Sequence, residues 1–205
     1  MTAGDGGAPR PLVVVMGRAP VPGRAKTRLA PALDPGAAAA LALALLLDVV
    51  DGTAGAGADR EVCVAEPRDL AIVRAVLPPG VAVAAQPEGD LGERLAGVAG
   101  ARLAAGRPAV VMVGSDCPLV GPGDVAGALQ ALASGADLAV SPAGDGGYSL
   151  IALSRPHPGA FRGIPWGGPG VLAATRRRAR VLGLSPAELA PIDDVDRPGD
   201  LGRLR

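Results

Sequence analysis

The stretch PLVVVMGRAPVPGRAKTRL, residues 11–29, decides the fold. Its opening run, PLVVVM, is apolar and β-branched without alternation, the pattern of a strand buried on both faces. The chain then turns through Pro20, Pro22 and Gly23, and from Pro35 the segment PGAAAALALALLLDVV reads as a helix with proline near its start. The same grammar repeats further along. REVCVA (60–65), VAVAAQ (81–86), PAVVMVG (108–114), 137–141 and 147–153 read as strands. PRDLAIVRAVL, DLGERLAGVAGARLAAG (90–106), 122–133 and a segment near 169–181 read as helices. Asp90, with Glu93 three residues later, forms a near-capping box. Strands alternating with helices predict an α/β domain whose sheet is mostly parallel, with helices on both faces. Ligands of such sheets bind outside the carboxyl ends of the strands. The loops to read are therefore 17–28, 86–93, 114–120 and 142–148.

Composition narrows the class. A chain of 205 residues is one domain with enough length for a full core. We expect residues 1–10 to be a disordered lead and 11–205 to be the domain. Lys+Arg and Asp+Glu both number 20, so net charge gives no reason to expect nucleic acid or an anionic membrane as a partner. One Phe, one Trp and one Tyr argue against base stacking on single strands. Cys63 and Cys117 form no metal-ligand spacing and fit a reducing compartment. MTAGDGGAPR lacks an apolar signal-peptide core, and the apolar run Ala37–Leu47 is short for a bilayer, so the expected location is the cytoplasm. The Ala/Leu-rich helices suit internal packing or a homodimer equally.

Lys26 is the only lysine; the other basic residues are arginines. The loop around it is neither a Walker A loop nor GxGxxG. It offers Gly17 and Gly23 for close backbone approach, then Arg24, Lys26 and Arg28 for phosphate oxygens. A lysine is a compact, mobile point charge, whereas an arginine fork is fixed in shape. The alternative is a solvated basic turn.

VVMVGSDCPLV puts Asp116 two residues past a buried strand. Mg²⁺ takes one or two carboxylates together with phosphate oxygens and water, so Asp116 is a candidate metal ligand, or else an Asx-turn or helix cap. PIDDVDRPGDL supplies Asp194 or Asp196 as a second ligand if that segment folds back, or else a set of caps. SPAGDGGYSLIAL is first a turn signal. Its functional reading is a substrate surface at Asp145, Gly146, Gly147 and Tyr148, with Asp145 or Tyr148 hydrogen-bonding the ligand. Glu93 and Arg94 face the site or cap their helix. No Ser-His-Asp triad, HExxH or Cys/His cluster can be assembled, and Ser115 is not in a nucleophile elbow.

The ordered series VVVMGRAPVPGRAKTRLAP, GDLGERL, VVMVGSDCPL, SPAGDGGYSLIAL, FRGIPW and DDVDRPGDL resembles the radical-SAM/selenodomain-associated transferase family of the nucleotide-diphospho-sugar transferase superfamily, whose relatives include 2-phospho-lactate guanylyltransferase. The resemblance runs from about residue 11 to the C-terminus. It implies a single-domain GT-A-like three-layer sandwich. It assigns the loop Gly17, Arg18, Ala19, Gly23, Arg24, Lys26 and Arg28, with Ser115, to nucleotide, and Asp116 to Mg²⁺ or Mn²⁺. The DGGY segment resembles the Gly-rich substrate loop of the phospho-lactate enzyme. Tyr148 replaces the Thr-Asn found there, so that enzyme's acceptor does not carry over.

The leading expectation is a Mg²⁺-dependent nucleotidyltransferase, with Lys26 and Asp116 catalytic, that moves a nucleoside monophosphate from an NTP to a small anionic acceptor. A glycosyltransferase using a nucleotide-sugar is the alternative. Against it, the Ser-Asp-Cys-Pro segment lacks the second Asp of an Asp-x-Asp motif. A non-catalytic nucleotide-binding module is the third reading.

Overall fold

The computed structural model describes residues 8–204. Most of the expected disordered lead, residues 1–7, lies outside the described residues. Seven strands form one sheet: β1 (Leu12–Gly17), β2 (Asp59–Val64), β3 (Ala82–Ala85), β4 (Val110–Gly114), β5 (Leu138–Pro142), β6 (Tyr148–Leu153) and β7 (Pro186–Glu188). Their spatial order is β3-β2-β1-β4-β6-β5-β7. Only β6 runs antiparallel, against β4 and β5; the remaining pairs are parallel. The helices are α1 (Pro35–Gly52), α2 (Leu70–Val76), α3 (Leu91–Ala104), α4 (Pro122–Ala133) and α5 (Val171–Val181).

Strand alternation feeds two cores. Val13, Val15, Val111 and Val113 point to one face and pack with Leu46 and Val49 of α1, Val73 of α2 and Val125 of α4. Val14, Val110, Met112 and Ile151 point to the other, against Leu95 and Val98 of α3 and Leu172 of α5. Both faces of the central strands are therefore dry, which is why their sequences do not alternate. The result is the expected three-layer α/β sandwich.

Local signals set the helix starts. Asp34 accepts from the Ala37 amide at 2.9 Å ahead of Pro35. Asp90 and Glu93 close a reciprocal capping box on α3. Each such cap contributes about 1 kcal/mol. Helix α1 runs beyond its apolar stretch to Gly52. Among the described residues it is the one helix long and apolar enough to cross a membrane by length and composition; here Leu45, Leu46, Val49 and Val50 are buried.

Two features position the site. The β5–β6 hairpin brings residues 143–147 to the carboxyl edge of β1 and β4. The C-terminal segment then crosses that edge. Ile192 N donates to Pro142 O at 3.0 Å, and Val195 N donates to Asp116 O at 2.9 Å.

Candidate active site

Lys26 and Asp116 are 90 residues apart in sequence and meet at the sheet edge. Lys26 Nζ lies 3.0 Å from Asp116 Oδ2, donates to Val195 O at 2.6 Å, and is 3.6 Å from Asp196 Oδ1. Its side chain is only 10% exposed. The backbone at Lys26 is left-handed, with φ 48° and ψ 40°, and it is the only non-glycine residue with positive φ among the described residues. Such a conformation costs on the order of 1–3 kcal/mol and persists where the surroundings enforce it. Here the enforcing partners are Asp116 and the C-terminal segment.

Two clefts flank Asp116. The larger, about 650 Å³, is polar and bordered by Gly17, Arg18, Lys26, Arg28, Arg94 and Ser115. Gly17 is required there, since a Cβ would come 2.5 Å from Ser115 Oγ. The smaller, about 290 Å³, is mainly apolar and bordered by Met16, Leu91, Met112, Tyr148, Ile151 and Trp166. Asp116, Asp145 and Asp194 are its only charged side chains among the described residues.

Several predicted residues sit differently from the sequence reading. Ala19 is buried in the core. Gly23 adopts φ 76° outside both clefts. Arg24 borders the larger cleft, but its guanidinium is held by Asp69 through two bonds of 2.9 and 2.8 Å. Arg28 pairs with Asp196 at 2.5 Å, so Asp196 already serves Lys26 and Arg28, while Asp194 borders the small cleft beside Asp116. Gly146, at φ 88°, packs on Pro169, where a Cβ would come 2.1 Å from the carbonyl oxygen. Asp145 accepts from the Gly147 amide at 2.8 Å, as an Asx-turn does. The Tyr148 ring borders the small cleft, but its hydroxyl is buried without a hydrogen-bond partner of good geometry, so the ring and not the hydroxyl faces the cleft. Burial pushes the Tyr148 pKa up. Glu93 caps α3, while Arg94 borders the larger cleft and donates to Gly89 O at 2.9 Å.

The sequence reading missed three contributors. Gln86 borders the larger cleft and ties Cys63 O (2.8 Å) to Gly17 O (3.3 Å). Its place right after β3 was the available signal. Trp166 packs edge-on against Tyr148, ring centroids 6.2 Å apart; as the sole tryptophan it stood out. Asp69, buried under the lysine loop, gave no signal.

Burial, together with the negative charges of Asp116, Asp145 and Asp196, pushes the Asp194 pKa up to about 6. Crowded carboxylates of this kind are the oxygen-donor set that suits a divalent cation. Among the described residues no three His, Cys, Asp or Glu side chains form a ready-made metal cage. A pair of carboxylates still fits Mg²⁺, which keeps waters and takes substrate phosphate oxygens.

A bacterial family described as "uncharacterized protein conserved in bacteria (DUF2064)" matches residues 49–168. The chain belongs to that family. A phosphoenolpyruvate guanylyltransferase of Rubrobacter xylanophilus is 35% identical over 88% of this chain and 87% of its own length. A 3-phospho-D-glycerate guanylyltransferase of Phenylobacterium zucineum is 35% identical over 86% of this chain and 82% of its own. A Desulfovibrio desulfuricans G20 crystal structure, of a candidate nucleotide-diphospho-sugar transferase, superposes with a TM-score of 0.86 at 34% identity, covering 95% of this chain and 85% of that one. This DUF2064 member is an enzyme of the transferase class, a nucleotidyltransferase.

Proposed function

We propose that this nucleotidyltransferase transfers a nucleoside monophosphate from an NTP to the phosphate of a small anionic acceptor, with Mg²⁺ or Mn²⁺ as cofactor. The observation that carries the reading is the 3.0 Å contact between Lys26 Nζ and Asp116 Oδ2 at the junction of the two clefts. In this reading the triphosphate lies in the larger cleft. The amides and side chains of the 17–28 loop, with Ser115, receive its oxygens. Lys26 releases Asp116 and follows the β- and γ-phosphates. Asp116 and Asp194 hold the cation; the committed ion pairs of Asp196 make it a tether for Lys26 and Arg28. The cation, when bound, neutralises charge on the reacting phosphates. An acceptor oxygen attacks the α-phosphorus, the α–β P–O bond breaks, and pyrophosphate leaves. No residue need act as covalent nucleophile, because positioning and electrostatics suffice.

The relatives named guanylyltransferases make GTP the first donor to test. The motif series GRAPVPGRAKTRL, GSDCPL and GDGGYSL supports membership of the radical-SAM/selenodomain-associated branch. Two buried free thiols, Cys63 and Cys117, suit a cytoplasmic setting.

A second reading, transfer of a sugar from a nucleotide-sugar, draws on the Desulfovibrio structure. The deciding experiment measures pyrophosphate release from each NTP with phosphomonoester acceptors, alongside diphosphate release from nucleotide-sugars. Acceptor-dependent pyrophosphate is expected. Diphosphate release without pyrophosphate would replace this reading by the second.

A further inference from the structure

The small cleft beside Asp116 is chemically unlike the acceptors named for the guanylyltransferase relatives. Phosphoenolpyruvate and 3-phosphoglycerate each carry a carboxylate in addition to the phosphate. A site for them must supply a cation or convergent donors for each charge. Among the described residues no lysine, arginine or histidine borders this cleft. The nearest cations are already spoken for: Lys26 by Asp116 and Val195, Arg28 by Asp196, and Arg203 by Asp193 and Asp200. The polar side chains that border the cleft are acceptors or are occupied. Asp145 and Asp194 are carboxylates, and Ser149 Oγ donates to Ile192 O. The Tyr148 hydroxyl is turned away and buried. What faces the interior is the Tyr148 ring, Trp166, Met16, Leu91, Met112 and Ile151.

On the nucleotidyl-transfer reading, we infer that the acceptor is a phosphomonoester with a single anionic end and an uncharged, largely apolar body. Its phosphate points to Asp116 and the cation, and its body fills the chamber between Tyr148, Trp166 and α3. A second carboxylate inside the chamber would lie beside Asp145 with no cationic side chain to face it, the cation at Asp116 and Asp194 being engaged by the phosphate. An uncharged body instead replaces water on apolar walls. The volume, about 290 Å³, sits at the small end for ligand clefts and holds a compact body, not a polymer.

The chamber carries its own reporter, because Trp166 is the only tryptophan in the chain. The test is a tryptophan-emission titration of the full chain with Mg²⁺, using 3-methylbutyl phosphate, cyclohexyl phosphate, phosphoenolpyruvate and 3-phosphoglycerate. The neutral-bodied phosphates should bind at least about tenfold more tightly than the phosphocarboxylates and shift the emission to the blue. Equal or tighter binding of phosphocarboxylates overturns the inference, even if they support pyrophosphate release. A blue shift produced as strongly by NTP alone also overturns it, since the nucleotide would then occupy the chamber. Because binding is read directly, absence of pyrophosphate with every acceptor would refute nucleotidyl transfer while leaving the binding order to decide this point. A second variant sharpens the test. Leu91 is 44% exposed at the chamber mouth, so Leu91→Arg should fold normally and raise the affinity for phosphoenolpyruvate relative to cyclohexyl phosphate. No change in that ratio, with an intact melt, counts against the charge argument.

Discussion

The clefts on either side of Asp116 are built by opposite means. The larger is walled by the lysine loop and the α3 start, and it is polar and rich in arginines. The smaller is walled by the β5–β6 hairpin and the turn before α5, and it is apolar with carboxylates at its rim. On the proposed reading, one side would recognise its ligand by charge and the other by shape and dryness. Asp116 would then join two recognition problems, and each substitution below probes one side or the join.

The largest effect is expected at the join. Asp116→Asn should lower kcat by roughly 10²–10³, the range for losing one preorganised electrostatic contact at a reacting centre. The melting midpoint should stay nearly unchanged. A large melting loss would make Asp116 a structural cap instead, and the contrast between the clefts would lose its centre.

Lys26 comes next, and three substitutions separate charge from backbone. Lys26→Arg should cut turnover by at least about tenfold, because the pocket among Asp116, Val195 and Asp196 fits a single ammonium. Unchanged turnover would show that any cation serves. Lys26→Gly and Lys26→Ala should both be nearly inactive. The glycine variant should be the more stable by about 1 kcal/mol, since only glycine adopts φ 48° freely.

Asp194 should show the opposite signs for stability and function. Its folded pKa, about 6, lies above the ordinary Asp value of roughly 3.9. The folded state therefore holds a proton more tightly than the unfolded chain, and this residue's contribution to stability falls as pH rises from about 4 to about 6. Asp194→Asn should melt higher than the parent at pH 7.5, should lose that difference near pH 4, and should require more Mg²⁺ for turnover. Identical melting at neutral pH would mean the carboxylate crowding is relieved in solution.

The smallest effect belongs to Arg24. Because Asp69 engages it, Arg24→Gln should raise the KM for NTP several-fold through a loosened loop while changing kcat less. The Asp69 pKa is held low by its bond to Arg24, so the stability from this pair is present above the ordinary carboxylate range and lost as pH falls through the depressed value. The melting gap between parent and variant should accordingly close in acid. A collapse of kcat with KM unchanged would return Arg24 to the phosphates.

The parallel half of the fold was legible in the sequence because burial on both faces leaves unbroken apolar runs such as VVVM and VVMV. Strand β7 was not. PAE has no strand propensity of its own and pairs because β5 offers it an edge. In the site, Lys26 stood out by its rarity and Asp116 by its place after a strand. Arg24 could not be read, because a paired and a free arginine look alike in sequence and Asp69 is 45 residues away. The Tyr148 hydroxyl could not be read either, since its direction is set by packing around α5 and not by neighbours in the chain.

Reversal of β6 has an evolutionary corollary. Every parallel connection in this sheet has a crossover, so altering it disturbs packed layers. Residues 143–147 instead join two adjacent antiparallel strands. The tip is pinned at Gly146, whose packing on Pro169 leaves no room for a side chain, so variation falls on its exposed positions Gly144 and Asp145. On the proposed reading, those positions are the place to exchange residues between homologues when redesigning what the enzyme modifies.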